Sequence, residues 1–164
     1  MRYAPFLRGV LIAAVVLTQA VGTGALAADR ERPYHGSCNT VVTPLDPQGS
    51  QLRFDLDCTL THLGRATGVA MQSVTVIGQN GPLLIATIAN TTTYTAANGD
   101  VLNQSFEGMA LINVATGDVQ YMGTETFQGG TGRFADASGT SQLSGTASLF
   151  TETGFYTVSG TLAY

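Results

Sequence analysis

The chain is 164 residues long, a one-domain length, with eleven acids, seven arginines and no lysine, for a net charge of −4. The missing lysine excludes Schiff-base and phosphate-loop lysine chemistry, and so acidic a balance argues against a nucleic-acid partner. An acidic surface excludes little else.

Arg2 and Arg8 give the chain a positive start, and Gly9 to Ala20 is an apolar run. Ala25-Leu26-Ala27 then has the small-x-small form of a cleavage site, and charged Asp29, Arg30, Glu31 and Arg32 follow at once. A membrane-spanning helix needs about 20 apolar residues, so this segment reads as a cleaved signal peptide over residues 1–27. No cysteine marks a lipoprotein site. The expectation is a secreted or periplasmic protein, free of the membrane after cleavage, whose one folded domain is residues 28–164. That domain keeps five arginines and all eleven acids, a formal charge of −6. Its two cysteines, Cys38 and Cys58, read as a disulfide in an exported chain. A metal site with His35 and His62 is disfavoured, because the cysteines lack the C-x-x-C spacing of zinc ligands.

After Ala28 no segment holds a 3.6-residue period. Turn signals instead recur every ten to fifteen residues, as in an all-β sandwich or barrel. Strands are expected over Tyr34–Thr43, Gln51–His62, Ala66–Ile77, Leu83–Thr95, Val101–Ile112, Val119–Phe127, Thr140–Phe150 and Phe155–Tyr164. The second alternates cleanly: Leu52, Phe54, Leu56, Cys58 and Leu60 share one face, and Arg53, Asp55, Asp57, Thr59 and Thr61 the other. Asn98-Gly99 is a strong hairpin signal. Eight antiparallel strands on short turns close into a barrel, which removes the exposed edges; a sandwich is the runner-up. The interior of such a barrel is filled by side chains or holds one small ligand.

Between strands six and seven lies Gly129-Gly130-Thr131-Gly132-Arg133-Phe134-Ala135-Asp136-Ala137-Ser138-Gly139, four glycines around one large apolar side chain. Such a segment bends sharply, with Phe134 plugging the bend into the core and glycine supplying positive φ. It matches G-x-G-x-x-[GA] in form, but a strand follows where a dinucleotide site needs a helix. Gly129, Gly130, Gly132, Phe134 and Gly139 are therefore read as a structural turn.

This segment resembles the G-G-[TS]-G-x-F-x-x-A-x-G stretch of the allene oxide cyclase and dirigent barrel superfamily. The resemblance extends more weakly over Thr61-His62-Leu63-Gly64-Arg65 and Ala96-Ala97-Asn98-Gly99-Asp100, which look like bacterial exported relatives, mostly of unassigned function. It implies an eight-stranded antiparallel barrel with a mostly apolar interior. Plant members cyclise or couple hydrophobic intermediates, largely by holding a conformation. The shared motif is a turn in those proteins and carries over no catalytic residue.

No G-x-S-x-G or H-E-x-x-H motif supports a hydrolase or a zincin. Asp55 and Asp57 read as a solvated face rather than a cation site. His62, at the end of an apolar face, reads as a core or rim histidine, and less readily as a base or ligand contact. Asn90-Thr91-Thr92 and Asn103-Gln104-Ser105 are glycosylation sequons in form.

Turn positions set the registers. A first hairpin turning about Asp46 to Gly49 places Cys38 opposite Cys58. The Ala115-Thr116 turn places Ile112 opposite Val119, Ala110 opposite Tyr121, Phe106 opposite Glu125, and Gln104 opposite Phe127. That face carries most of the large apolar residues and should point inward, taking Gln104, Tyr121 and Glu125 with it. In the last hairpin Leu143, Ala147 and Leu149 are expected opposite Leu162, Val158 and Tyr156. A carboxylate among apolar side chains should have a raised pKa. Glu125, with Gln104 and Tyr121, is thus the catalytic candidate if there is chemistry, with Glu107 as the group facing in if the register slips by one. Phe106, Tyr156 and His62 are the ligand-contact candidates. The expected function is binding of a small hydrophobic molecule inside the barrel, without cofactor or metal. The alternatives are a cyclase- or isomerase-like enzyme acting by shape, and a structural or interaction protein with a filled barrel. No feature sets an oligomeric state.

Overall fold

A computed structural model describes residues 30–164; the expected signal peptide, residues 1–27, lies outside the described residues. Eight strands follow one another: β1 (Arg32–Pro44), β2 (Gln51–Leu60), β3 (Gly64–Asn80), β4 (Leu83–Ala96), β5 (Val101–Asn113), β6 (Asp118–Gly130), β7 (Ser138–Ser148) and β8 (Thr153–Ala163). Each pairs antiparallel with the next, and β1 also pairs with β8, so the sheet closes into a barrel and the sandwich is excluded. Gly132–Phe134 forms a single 3-10 turn between β6 and β7.

Alternation makes the wall. In β2 the side chains of Leu56, Cys58 and Leu60 are buried, while Arg53, Asp55, Asp57 and Thr59 face solvent. Leu52 and Phe54 share the inward face yet are only half-buried. The same gradient runs along β5, from buried Leu102, Gln104 and Phe106 to half-buried Ile112. One end of the barrel is therefore packed and the other is open.

The packed end is closed by the glycine corner. Phe134 is completely buried, and its ring stands edge-on to Tyr164 with centroids 5.1 Å apart. Gly129, Gly132 and Gly139 take positive φ (77°, 58° and 120°), whereas Gly130 does not. Arg133 ties the corner to its neighbours: its guanidinium reaches the His62 carbonyl in the β2–β3 turn and lies 3.6 Å from Asp100 in the β4–β5 turn. The glycine corner, the β2–β3 turn and the β4–β5 turn thus meet at one end of the barrel.

Two registers match the turn arithmetic. Cys38 faces Cys58 and forms a disulfide, with Cα atoms 4.1 Å apart. Phe106 faces Glu125, Ala110 faces Tyr121, Ile112 faces Val119 and Gln104 faces Phe127. The last hairpin differs. Leu143 faces Val158, Gly145 faces Tyr156 and Ala147 faces Gly154, four residues from the expected pairing. The reversal comes earlier than Glu152-Thr153-Gly154, over Leu149 to Glu152, with Glu152 itself at positive φ (55°). Leu149 consequently sits exposed in the turn rather than in the interior. A shift of four preserves the alternation of faces, so Leu143, Tyr156, Val158 and Leu162 still point inward.

Candidate functional site

Inside the barrel, a polar cluster lies between the plug and the open end. Glu125 on β6 is fully buried. The side-chain amide of Gln104 on β5 donates to its Oε1 at 2.7 Å, and the Ser141 hydroxyl on β7 bonds Oε2. Gln104 Nε2 also donates to the Tyr94 hydroxyl at 3.3 Å, and that hydroxyl lies 2.8 Å from the hydroxyl of Tyr156. Five side chains from β4 to β8 thus form one connected set. The register explains the convergence: Glu125 faces Ser141, and Gln104 faces Thr92, two residues along β4 from Tyr94.

Burial dominates the electrostatics. Loss of water raises the Glu125 pKa; the bonds from Ser141 and Gln104 pull the other way without cancelling it. Tyr34, Tyr94 and Tyr156 are all raised well above the ordinary tyrosine value, first by burial, with the Glu125 charge adding to it. Tyr121 is raised by burial. These phenols therefore keep their protons at neutral pH. Among the described residues three buried polar atoms have no protein partner: Tyr34 Oη, Thr40 Oγ1 and Gln104 Oε1.

Toward the open end the barrel is hollow. A cavity of about 320 Å³ lies among Leu52, Phe54, Val74, Ile88, Ala110 and Ile112. Below it a chamber of about 30 Å³ touches Gln104, Phe106 and Tyr156. The two share Phe54, Gln72 and Tyr121, which form the neck between them. Gly108 and Gly123, which face each other across β5 and β6, leave room for the Phe106 ring: a Cβ on either would fall within 2.6–2.7 Å of it. A larger hollow of about 810 Å³ is a shallow trough over the outward residues Asn39, Asp55, Asp57, Asp118 and Phe155.

The residues singled out in the sequence separate into two groups. Gln104, Phe106, Tyr121 and Tyr156 line the interior space, and Glu125 lies directly behind Gln104. Glu107 faces outward and is exposed. His62 sits in the β2–β3 turn at the plugged end, where Nε2 lies 2.9 Å from the Pro33 carbonyl and the ring meets Tyr164 edge-on; it is remote from the cavity. Asp55 pairs with Arg53 at 2.7 Å and Asp57 with Arg65 at 3.7 Å on the outer wall. Among the described residues no group of three or more His, Cys, Asp or Glu comes together as a metal site. Asn90, the head of one sequon, turns inward to Gln72 and Thr92. Sequence reasoning missed Tyr34, Tyr94 and Ser141. Tyr94 and Ser141 lie among small polar residues, where alternating Thr and Ser gives no apolar signal for which face is inside, and Tyr34 stands between Pro33 and His35 at the start of β1.

Comparisons with protein-family models, with curated proteins and with solved structures found no match.

Proposed function

We propose that the chain is an exported barrel of the allene oxide cyclase and dirigent type that holds a small hydrophobic molecule in its open half. The observation that carries this is the cavity of about 320 Å³, apolar through most of its lining and open at one end of a barrel plugged at the other. Pockets of this size and lining suit small ligands that bury most of their surface. The rim supports the same reading. Leu45, Val114 and Phe150, in three of the reversals around the mouth, and Ile77, near the end of β3, are exposed, Phe150 by 70%. An apolar molecule entering there meets apolar surface before it meets the cavity. The buried disulfide fits an oxidising compartment outside the cytosol.

Binding is favoured over catalysis by the placement of Glu125. It does not line either chamber, and both of its oxygens are engaged. A general acid must reach the substrate atom it serves, directly or through one water. Native mass spectrometry of the protein purified from its source, compared with Ala110→Phe, tests the reading. Ala110 is buried on the cavity wall, and a phenyl ring there projects into the space and narrows it. The expected result is a co-purified apolar adduct on the native chain and none on the folded variant. An adduct that persists on Ala110→Phe places the ligand elsewhere and overturns the proposal.

A further inference from the structure

The floor of the cavity has a polarity that selects among hydrophobic molecules. Gln104 is 2% exposed, and both hydrogens of its amide nitrogen are committed, one to Glu125 Oε1 and one to Tyr94 Oη. Its Oε1 has no protein partner, and Gln104 is one of the residues that line the inner chamber. The amide is planar, so with Nε2 held toward Glu125 and Tyr94, Oε1 is turned away from them. A buried acceptor left unpaired costs free energy, and buried polar groups are nearly always bonded to protein, water or ligand. A water needs about 10–15 Å³ of such space, so a chamber of about 30 Å³ admits a hydroxyl-sized group and little more.

Charge narrows the class further. No Lys, Arg or His lines the cavity or the chamber. The carboxyl groups nearby bracket the space: Glu125 behind the floor and Glu152 at the rim. An anionic head drawn in among apolar walls would lose its water and find no cation to replace it.

We propose that the ligand is an apolar molecule ending in a single neutral hydrogen-bond donor, an alcohol, whose hydroxyl passes the neck and donates to Gln104 Oε1. The proposal rests on the binding function argued above and specifies which hydrophobic molecules the barrel accepts. A fatty acid is rejected at neutral pH. A molecule with an ether or ester end gains nothing from Gln104 Oε1, because it brings an acceptor to an acceptor.

Isothermal titration calorimetry of the disulfide-bonded protein with 1-decanol, its methyl ether and decanoate at neutral pH separates these cases. The expected result is that 1-decanol binds at least about tenfold tighter than either of the others, since one hydrogen bond to a buried acceptor is worth about that much. In Gln104→Met the preference for alcohol over ether should disappear while ether binding persists. Should that variant fail to fold, the three-ligand series on the native chain still decides the matter. Decanoate or the ether binding as tightly as the alcohol overturns the donor rule while leaving the binding function intact. Failure of all three to bind overturns both.

Discussion

Replacing Glu125 by glutamine keeps the shape of the buried cluster and removes one ionisable group. In the folded barrel Glu125 is fully enclosed, and burial raises its pKa above the ordinary glutamate value of 4.5. The folded state therefore binds that proton more tightly than the unfolded chain does. Its contribution to stability is fully present below the unfolded pKa and is lost as pH rises through the folded one. The loss amounts to about 1.4 kcal/mol for each unit by which the folded pKa exceeds the unfolded value. Glu125→Gln has no such dependence, and its amide can still accept from Gln104 and donate to Ser141. Urea unfolding followed by tyrosine fluorescence suits a chain with six tyrosines and no tryptophan. The stability of the variant relative to the native chain should increase as pH rises above the ordinary glutamate value and level off once the folded-state pKa has been passed. A comparison variant, Glu125→Leu, strips both Gln104 Nε2 and Ser141 Oγ of their acceptor at about 1–3 kcal/mol each, so it should cost about 2–6 kcal/mol. Parallel pH curves for native chain and Glu125→Gln, or a Glu125→Leu as stable as Glu125→Gln, would refute the account of a desolvated, fully bonded carboxyl.

Three further outcomes are expected. Phe134→Ala should lose about 3–5 kcal/mol by chemical denaturation, because a completely buried ring leaves the packed end unplugged; a loss below about 1 kcal/mol would mean that the corner closes without it. Replacing Cys38 and Cys58 by alanine opens a loop of 20 residues and should cost about 3 kcal/mol in the chain-entropy account, measured as a shift in urea midpoint without loss of fold. Gly132→Ala forces a Cβ into a left-handed position and against the Asp100 carboxylate, at about 1–3 kcal/mol, whereas Gly49→Ala, in a turn with open space around it, should pay only for its positive φ. The difference between those two glycine variants isolates the contact with Asp100.

Much of this fold is legible in local sequence, and the reason is the shortness of the turns. Where the reversal is pinned by Pro44 to Gly49 or by Ala115-Thr116, counting outward from it places Cys38 on Cys58 and Phe106 on Glu125. The same counting turns Gln104, Tyr121 and Glu125 toward the interior, where they lie. It fails by four residues in the last hairpin, where Thr151-Glu152-Thr153-Gly154 offers several adjacent turn residues and Glu152 adopts the left-handed conformation that the rule assigns to Gly154. What local sequence hides is non-local. No turn connects β1 to β8, so their pairing, and with it the position of Tyr34 near Glu125, follows only from closure. Nor does alternation reveal which end is hollow. Leu52 and Leu60 occupy equivalent inward positions on β2, one facing the cavity and the other buried near the plug, and the difference comes from what the opposite wall supplies.

The pairing of β1 with β8 carries one more consequence. Arg32 lies opposite Leu162, and its side chain bonds the Tyr164 hydroxyl at 3.1 Å, so both ends of the domain leave the barrel side by side at the plugged end. A short peptide could therefore splice the ends together, and new ends could be cut at Gly81-Pro82 between β3 and β4, giving a circular permutant with every strand pair kept. In the natural order the same geometry orients the molecule. Anything tethered to either terminus hangs from the sealed face, and the mouth is left pointing away from the tether.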